Sequence, residues 1–390
     1  MTMSRLPIVQ RIDDPSILDL GWGHPDPTLL PVEEIRRGAE AALKRFGADA
    51  LQYGHVAGPG PLLEWLMARI AANEGRAVDP DEILVTSGIS SGLDLALSAL
   101  TRPGDTVLVE SPTYYLAIRI LQDRGLDLVT VATDGDGILV EALAQKVAEL
   151  KRDGRPPRAL YTVPTFNNPT GTSLSDPRRT ALVELAAQQE FTILEDDVYR
   201  ELAYDSPPAP SLWSLAPPGT VVRLGSFSKS LAPGLRLGWL TAGVDLVRRL
   251  CESGLLDSSG GVNPFTGLVV ACLCEAGDFD PHVARLRQAY KSRRDALAEA
   301  LKRYLPDTFR WRTPGGGFFL WMDLPSGVEA GFLLPLAEAS GMSFFPGSRF
   351  HADGGGRRNL RLVFTLYPET QLVEAAERLG QAIRSLPAHV

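Results

Sequence analysis

The chain has 390 residues, of which 44% are hydrophobic and 22% are charged, a composition typical of a globular protein long enough for two domains. Its 39 basic and 47 acidic residues give a formal net charge of −8, which argues against a nucleic-acid-binding protein. No run is long and apolar enough for a membrane span, the first ten residues lack a signal sequence, and three cysteines are too few for a disulfide framework, so we expect a cytoplasmic protein.

Short apolar runs alternate with amphipathic helical stretches between about residues 80 and 250. The runs are continuous and rich in Val, Leu and Ile, which is typical of strands buried on both faces. In chain order they read EILVTSG, DTVLVE, LDLVTVAT, RALYTVP, FTILEDD and TVVRLGSF. This alternation predicts a mostly parallel sheet with helices on both sides. Ser175, Asp176 and Pro177 predict the start of one of these helices.

The pattern changes beyond about residue 280, where a long basic helix precedes a Gly-rich turn, further strand-like runs and a last helix. This change predicts a smaller α+β domain. We therefore divide the chain into an N-terminal segment 1–45 that packs with the small domain, a large domain 46–280 and a small domain 281–390. We expect the basic residues of the long helix to form a solvated face; they are Arg285, Arg287, Lys291, Arg293 and Arg294.

Lysine is rare in this chain, because only six of the 39 basic residues are lysines. Five of the six lie in polar, helix-like stretches. The sixth, Lys229, lies in the weakly charged stretch RLGSFSKSLAPGLRLGW. Since a lysine amine can form a Schiff base and an arginine cannot, Lys229 is a candidate for covalent chemistry.

The segment VTSGISSG runs from the end of a predicted strand into a helix. The first backbone N–H groups of that helix, at Ile89 and Ser90 after Gly88, would form an anion site. A simple strand-to-helix turn has the same sequence pattern, so the motif alone leaves both interpretations open.

The segment FTILEDDVY brings carboxylates to a strand end, where ligands bind in open α/β sheets. If the strand continues, alternation puts Asp196 and Val198 on one side and Asp197 and Tyr199 on the other. A buried carboxylate there needs a cationic partner, whereas an acidic turn is the alternative. The segment TFNNPTG at 165–171 has a similar alternative, a plain β-turn.

Two arginines lie in apolar surroundings. Arg236 follows Lys229 by seven residues, and Arg361 lies in the strand-like run NLRLVFT, where an unpaired guanidinium would be costly. Arginine is the natural two-pronged partner of a carboxylate or phosphate. Each of the two could instead form a structural salt bridge with an acidic neighbour.

Seven motifs together resemble the class I pyridoxal-phosphate aminotransferases, in the order found in that family. They are SGISSG, SPTYY, NNPTG, EDDVY, GSFSKSLAPGLRLG, PGGGFFLW and NLRLVF, and the similarity extends from about Gly21 to the end. The likeness is greatest to the broad-specificity subgroup that acts on 2-aminoadipate, kynurenine, aromatic and branched-chain amino acids. It implies fold type I, in which a mostly parallel seven-stranded sheet lies between helices and a smaller α+β domain follows.

The resemblance assigns catalytic and substrate-binding roles to individual positions. Lys229 would form the Schiff base with pyridoxal phosphate and then act as general acid–base. Asp196 would pair with the pyridine nitrogen, and Tyr199 would tune the cofactor by a hydrogen bond. Arg361 would clamp the substrate carboxylate, with help from the backbone near Gly23.

The other contacts that the resemblance implies hold the cofactor. Asn168 would hydrogen-bond the phenolic oxygen together with Tyr199 and would also contact the substrate. The remaining positions are Gly88, Ile89, Ser90, Ser226, Ser228 and Arg236 at the phosphate, Tyr114 and Val198 on the two ring faces, and Tyr53 at the phosphate of the neighbouring subunit.

The family likeness implies a homodimer with shared active sites that moves an amino group from an amino acid to a 2-oxo acid, such as 2-oxoglutarate, in a ping-pong reaction. The substrate side chain would contact the 21–30 loop, the Tyr114 region and the segment 258–267. A β-lyase or decarboxylase would keep the same residues and is one alternative. A cofactor-binding sensor module of a transcription regulator is a remote one, because the chain begins only about twenty residues before GWGHPDP.

Some positions depart from the family pattern or lack a predicted role. Ile89 and Ser90 remove a side-chain contact to the phosphate while leaving the backbone donors in place. Cys272 and Cys274 lie in an apolar helix-like run, where they are expected to be small core residues. The histidines show no metal-ligand spacing, so we expect no metal site.

Overall fold

A computed structural model describes residues 9–10, 14 and 16–386, and so leaves out the first eight residues of the predicted N-terminal segment. The strands in chain order are β1 (Leu18–Asp19), β2 (Ile83–Thr86), β3 (Thr106–Ser111), β4 (Asp127–Asp134), β5 (Gly137–Ile138), β6 (Ala159–Thr162), β7 (Thr192–Asp196), β8 (Val221–Ser226), β9 (Gly238–Thr241), β10 (Arg310–Trp311), β11 (Phe319–Asp323), β12 (Met342–Ser343), β13 (Phe345–Pro346) and β14 (Asn359–Val363). The helices are α1 (Val32–Phe46), α2 (Gly60–Glu74), α3 (Ile89–Leu100), α4 (Tyr115–Asp123), α5 (Val140–Arg152), α6 (Asp176–Gln189), α7 (Leu212–Leu215), α8 (Val244–Cys251), α9 (Gly254–Ser259), α10 (Pro264–Glu275), α11 (Phe279–Tyr304), α12 (Ala330–Ala339) and α13 (Glu369–Arg384). None of the helices in this described part combines the length and apolar character that a membrane crossing requires.

The largest sheet has the strand order β2-β9-β8-β7-β6-β3-β4-β5. The central pairs β8–β7, β7–β6, β6–β3 and β3–β4 are all parallel, while β9 is antiparallel to both its neighbours. The prediction of a mostly parallel sheet between helices is therefore confirmed. The two-residue strand β5 pairs with the end of β4 and adds an eighth strand to the seven that the resemblance implied.

The parallel strands deliver their carboxyl ends to one edge of the sheet. Strands β6, β7 and β8 end there at Thr162, Asp196 and Ser226, so the residues that follow them lie close together. Helix α6 begins at Asp176 after an N-cap at Ser175, as the sequence predicts. Strand β9 was not predicted, because its four residues GWLT carry little pattern.

A second, antiparallel sheet has the order β10-β11-β14-β13. The N-terminal residues of β1 pair in parallel with β12, whereas α1 packs against α10. There the absence of a side chain at Gly38 permits close approach, since a Cβ at that position would lie 2.7 Å from the carbonyl oxygen of Val269. The predicted domain boundaries at residues 45 and 280 stay a prediction.

The basic face of α11 is not solvated throughout, so that expectation was wrong for two of its residues. Arg293 and Arg294 are buried. Arg293 pairs with Asp26 at 2.6 Å, and Arg294 pairs with Asp205 at 2.5 Å. Because these partners come from distant parts of the chain, the basic residues tie other elements to α11, and the pair with Asp26 fixes the loop that precedes α1.

Candidate active site

A cavity of about 630 Å³ opens at the carboxyl edge of the parallel strands. It lies between the large sheet, the loop before α1 and the antiparallel sheet. The sequence-predicted site residues that line it are Gly23, Ile89, Ser90, Tyr114, Asn168, Asp196, Val198, Tyr199, Ser226, Ser228, Lys229, Arg236 and Arg361. Residues separated by more than 300 positions in sequence therefore meet at one site.

Lys229 follows strand β8 and extends across the cavity. Its Nζ donates a hydrogen bond to the carbonyl oxygen of Gly23 at 2.9 Å and lies 5.1 Å from the centre of the Phe318 ring. Burial and the positive charges of Arg361 and Arg236 lower the pKa of Lys229 to about 8, against the opposing effect of Asp196. The neutral, nucleophilic form of the amine is therefore more populated near neutral pH than it is for an ordinary lysine.

Asp196 is the last residue of β7 and is fully enclosed. The hydroxyl of Tyr161 donates to its Oδ2 at 2.7 Å, and the backbone N–H of Val198 donates to its Oδ1 at 3.4 Å. Burial raises the pKa of Asp196 to about 6, and the hydrogen bonds and the charge of Lys229 limit that rise. The carboxylate is thus ionised at neutral pH and available to a cationic ligand group.

The predicted alternation beyond Asp196 required the strand to continue, and this condition is not met, because β7 ends at Asp196 and the chain turns. As a result, Val198 and Tyr199 both line the cavity. Asp197 is directed elsewhere and pairs with the buried guanidinium of Arg223 at 2.7 Å. The cationic partner expected for a buried carboxylate is therefore found at Asp197, while Asp196 is held by a hydroxyl and lies near Lys229.

Arg361 on β14 is 2% exposed and joins three segments. Its guanidinium donates to Oδ1 of Asn168 at 2.7 Å and to the carbonyl oxygen of Gly21 at 2.5 Å. The Nδ2 of Asn168 in turn donates to the hydroxyl of Tyr199 at 3.4 Å. Burial lowers the pKa of Arg361 to about 10, and the guanidinium carbon lies 4.0 Å from the centre of the Phe319 ring.

No carboxylate of the described residues forms a salt bridge with Arg361, and its Nε has no hydrogen-bond partner there. The alternative of a structural salt bridge therefore does not account for this arginine. A buried cation with unused N–H groups is suited to binding an anion that arrives from solution.

The start of α3 and Arg236 form the opposite end of the cavity. Gly88 is the N-cap of α3 and has a φ of +81°. A Cβ at Gly88 would lie 2.8 Å from Nη2 of Arg236, so the guanidinium would have to shift if this residue were not glycine. The backbone N–H of Ser228 donates to Oγ of Ser226 at 3.0 Å. Free helix N–H groups, hydroxyls and a guanidinium together make a cradle for a phosphate.

Tyr53 is the predicted site residue that the structure places away from the others. It lies outside the cavity with 81% of its surface exposed. Gly260 of the segment 258–267 lies beside it, since a Cβ there would come within 2.9 Å of the Tyr53 Cβ. That segment does not line the cavity either, so this part of the predicted site is not assembled within one chain.

Several cavity residues had no role in the sequence analysis. Trp22 and Tyr115 form an aromatic wall of the cavity. Both pack against Phe345 behind this wall, with ring centres 5.4 and 5.9 Å from that of Phe345. Phe319 lies under Arg361. The only sequence signal for them was their place in the motifs GWGHPDP, SPTYY and PGGGFFLW. Tyr161, which contacts Asp196 without lining the cavity, had no role in the sequence analysis either.

Comparison with known proteins shows the family to which the chain belongs. A family model described as aminotransferase class I and II matches residues 16–379. Aromatic-amino-acid aminotransferase 1 of Thermococcus litoralis is 34% identical over 381 residues, which cover 97% of this chain and 90% of that protein.

Two solved structures share the fold over nearly their whole length. The kynurenine aminotransferase of Pyrococcus horikoshii, in complex with PMP, has a TM-score of 0.91 and 35% identity, covering 96% of this chain and 92% of that one. The alpha-aminoadipate aminotransferase of Thermus thermophilus, complexed with N-(5'-phosphopyridoxyl)-L-leucine, has a TM-score of 0.87 and 34% identity, covering 96% and 94%.

We expect the cofactor-free protein to capture pyridoxal phosphate at a rate that rises with pH and levels off above about pH 8, because the neutral form of Lys229 attacks and its pKa is lowered from 10.5 to about 8. Stopped-flow absorbance measures the rate. Lys229→Ala should form no covalent adduct, whereas Lys291→Ala, which removes an exposed lysine paired with Asp205 and Asp295, should keep the wild-type profile. A midpoint near the ordinary lysine value would contradict the assignment.

Replacing Arg361 by lysine should raise KM for the amino acid by about tenfold or more and leave cofactor affinity nearly unchanged, because an ammonium group cannot bind a carboxylate through two parallel N–H donors. Steady-state kinetics and cofactor titration separate the two effects. Arg357→Lys, at a mostly exposed position, is the matched control. Loss of the cofactor with an unchanged KM would show instead that Arg361 is a structural residue.

Proposed function

The chain belongs to the aminotransferases of class I and II, and we propose that it transfers amino groups with the cavity residues Lys229, Asp196 and Tyr199 as its catalytic groups. One observation carries this proposal. A lysine with a lowered pKa, a buried carboxylate and two arginines without carboxylate partners among the described residues face a single cavity. That combination matches the chemistry of an amino-group carrier and of an anionic substrate.

The cofactor of this family is pyridoxal phosphate, and the cavity residues suit each of its parts. When bound, the cofactor supplies an aldehyde that takes up amino groups and an electron-withdrawing ring. Asp196 would hold the proton on the pyridine nitrogen, and Asn168 and Tyr199 would donate to the phenolic oxygen. Tyr114 and Val198 would cover the two ring faces. The phosphate would be held by Gly88, Ile89, Ser90, Ser226, Ser228 and Arg236.

The remaining roles of the cavity residues are substrate binding and proton transfer. Lys229 would first act as the nucleophile and then carry the proton between the substrate Cα and C4′ of the cofactor. Its present acceptor, the Gly23 carbonyl, holds the amine on the side of the cavity nearest to the loop before α1. Arg361 would bind the substrate carboxylate, and Asn168 would orient Arg361 through the 2.7 Å hydrogen bond.

We propose a ping-pong order, because donor and acceptor both carry an α-carboxylate and the cavity offers one buried arginine to bind it. The amino acid would deliver its amino group and leave as a 2-oxo acid before the second 2-oxo acid, such as 2-oxoglutarate, enters. The aromatic wall of Trp22 and Tyr115 favours donors with aromatic or other large apolar side chains. We propose donors of the aromatic, branched-chain or 2-aminoadipate type.

We further propose that the active enzyme is a cytoplasmic homodimer with shared sites. The exposed Tyr53 and its neighbour Gly260 support a shared site. The exposed phenol of Tyr53 would contribute to catalysis only if it lay against the active site of another subunit. The partner copy's Tyr53 would then reach the phosphate cradle of this chain. Three free cysteines accord with a reducing compartment.

Aromatic amino acids should convert the bound cofactor to its amine form in a single turnover, because Lys229 would carry a proton from the substrate Cα to C4′. The acceptor 2-oxoglutarate should reverse the change, since Lys229 would then carry a proton from C4′ to Cα of the acceptor. Absorbance spectroscopy against a panel of aromatic, branched-chain and acidic amino acids ranks the donors. Release of ammonia or carbon dioxide without the amine form would instead identify a β-lyase or a decarboxylase.

A heterodimer of one Lys229→Ala subunit and one Tyr53→Ala subunit should recover about half of the wild-type activity, because one of its two shared sites contains both native residues. Co-expression with two affinity tags provides the heterodimer. The matched controls are the two variant homodimers, each of which should be severely impaired. A heterodimer that is no more active than these controls would rule out a shared site.

A further inference from the structure

One buried carboxylate near the cavity has no part in the steps above. Glu110 is in strand β3 and is 3% exposed. Its Oε1 accepts hydrogen bonds from the backbone N–H of Val163 at 2.6 Å and from Nδ2 of Asn167 at 2.8 Å. Its Oε2 accepts from Oγ1 of Thr162 at 3.0 Å. Glu110 forms no salt bridge with a cation of the described residues, so hydrogen bonds alone compensate its burial.

These donors belong to segments that carry cavity residues. Val163, directly after β6, lines the cavity itself. Oγ1 of Thr113 also approaches Oε1 of Glu110, at 3.4 Å, and Thr113 directly precedes Tyr114. Asn167 directly precedes Asn168. Glu110 therefore links the end of β3 to the end of β6 and to the segment 165–171, which we call the asparagine turn.

The asparagine turn is fixed from both sides of the Asn167 amide. Its Nδ2 donates to Glu110, and its Oδ1 accepts from the backbone N–H and from Oγ1 of Thr170, each at 3.0 Å. The amide of the next residue, Asn168, bridges Arg361 and Tyr199. A shift of the asparagine turn would therefore displace the Asn168 amide, which connects the Arg361 guanidinium to the Tyr199 hydroxyl.

We propose that Glu110 is a positioning residue for transamination, acting through Asn167 to hold the Asn168 amide between Arg361 and Tyr199. The inference rests on the proposed function of that site. Glu110 does not itself face the cavity, so it touches neither substrate nor cofactor. Its carboxylate supplies acceptor oxygens for two N–H donors, the Asn167 side-chain amide in the asparagine turn and the Val163 backbone N–H at the end of β6.

For holding the asparagine turn, the acceptor oxygens of Glu110 matter more than its negative charge. Burial raises the pKa of Glu110 to about 7, although its hydrogen bonds oppose the rise. Glutamine preserves one acceptor oxygen for Val163 and Asn167, and the hydroxyl of Thr162 can reverse its role and accept from the new amide. Alanine leaves both N–H donors without an acceptor.

We expect Glu110→Ala to lower kcat by about tenfold or more while retaining bound cofactor. The pH-dependent absorbance change of the bound cofactor should move to higher pH, because a displaced Asn168 no longer stabilises the ionised phenolic oxygen. Glu110→Gln should restore both properties to near the wild type. A variant with wild-type kcat and an unshifted spectrum would overturn the proposal, as would equal damage by alanine and glutamine.

Asn167→Ala provides the second arm and keeps Glu110 intact. It should produce the same spectral shift, and the double variant should be no worse than either single one, because both remove the same link. Additive losses would mean that Glu110 acts elsewhere and would overturn the proposal. If Glu110→Ala does not fold, the measurements on Asn167→Ala and Glu110→Gln still test the proposal. Because the spectral shift needs only bound cofactor, a wild-type enzyme that failed to transaminate would refute the proposed function without deciding the role of Glu110.

Discussion

An excess of positive charge around the cavity is the constraint on which the site depends. Lys229, Arg236 and Arg361 face a cavity whose only ionised carboxylate among its described lining residues is Asp196. Repulsion between these cations is unfavourable, and water cannot screen it fully at the buried groups Lys229 and Arg361. Burial lowers the pKa of Lys229, and the same repulsion adds to this effect, which favours the nucleophilic role that we propose for it. Under that proposal the excess charge would also favour anionic ligands, because a phosphate and a carboxylate would neutralise it.

The two sheets contribute different parts of the site, and only a few contacts align them. The large sheet carries Lys229 and Asp196, while the antiparallel sheet carries Arg361. The loop between β1 and α1 connects them, since its carbonyl groups at Gly21 and Gly23 accept hydrogen bonds from Arg361 and Lys229 respectively. The Asp26–Arg293 pair anchors the same loop to α11, so an ion pair outside the cavity helps to set the distance between Lys229 and Arg361.

The sequence predicted the parts of the fold and site that depend on local patterns. Continuous apolar runs identified the parallel sheet, and the scarcity of lysine drew attention to Lys229. Contacts between distant residues were not predictable. Arg293 was predicted to be solvated because its partner Asp26 is 267 residues away, so no local pattern indicates the pair. The alternation after Asp196 does not apply because the strand ends there, and the link from Glu110 to Asn167 depends on which strands become neighbours.

The unused N–H groups of Arg361 have an entropic consequence. A guanidinium has five N–H donors, and two of them hold Asn168 and Gly21. An incoming carboxylate can therefore be bound by the remaining donors while the side chain stays where it is. The side-chain freedom of Arg361 is already lost on folding, so in the role that we propose for it, substrate binding would require no further ordering of this side chain. The rigidity of the free protein would then contribute to the affinity for substrate.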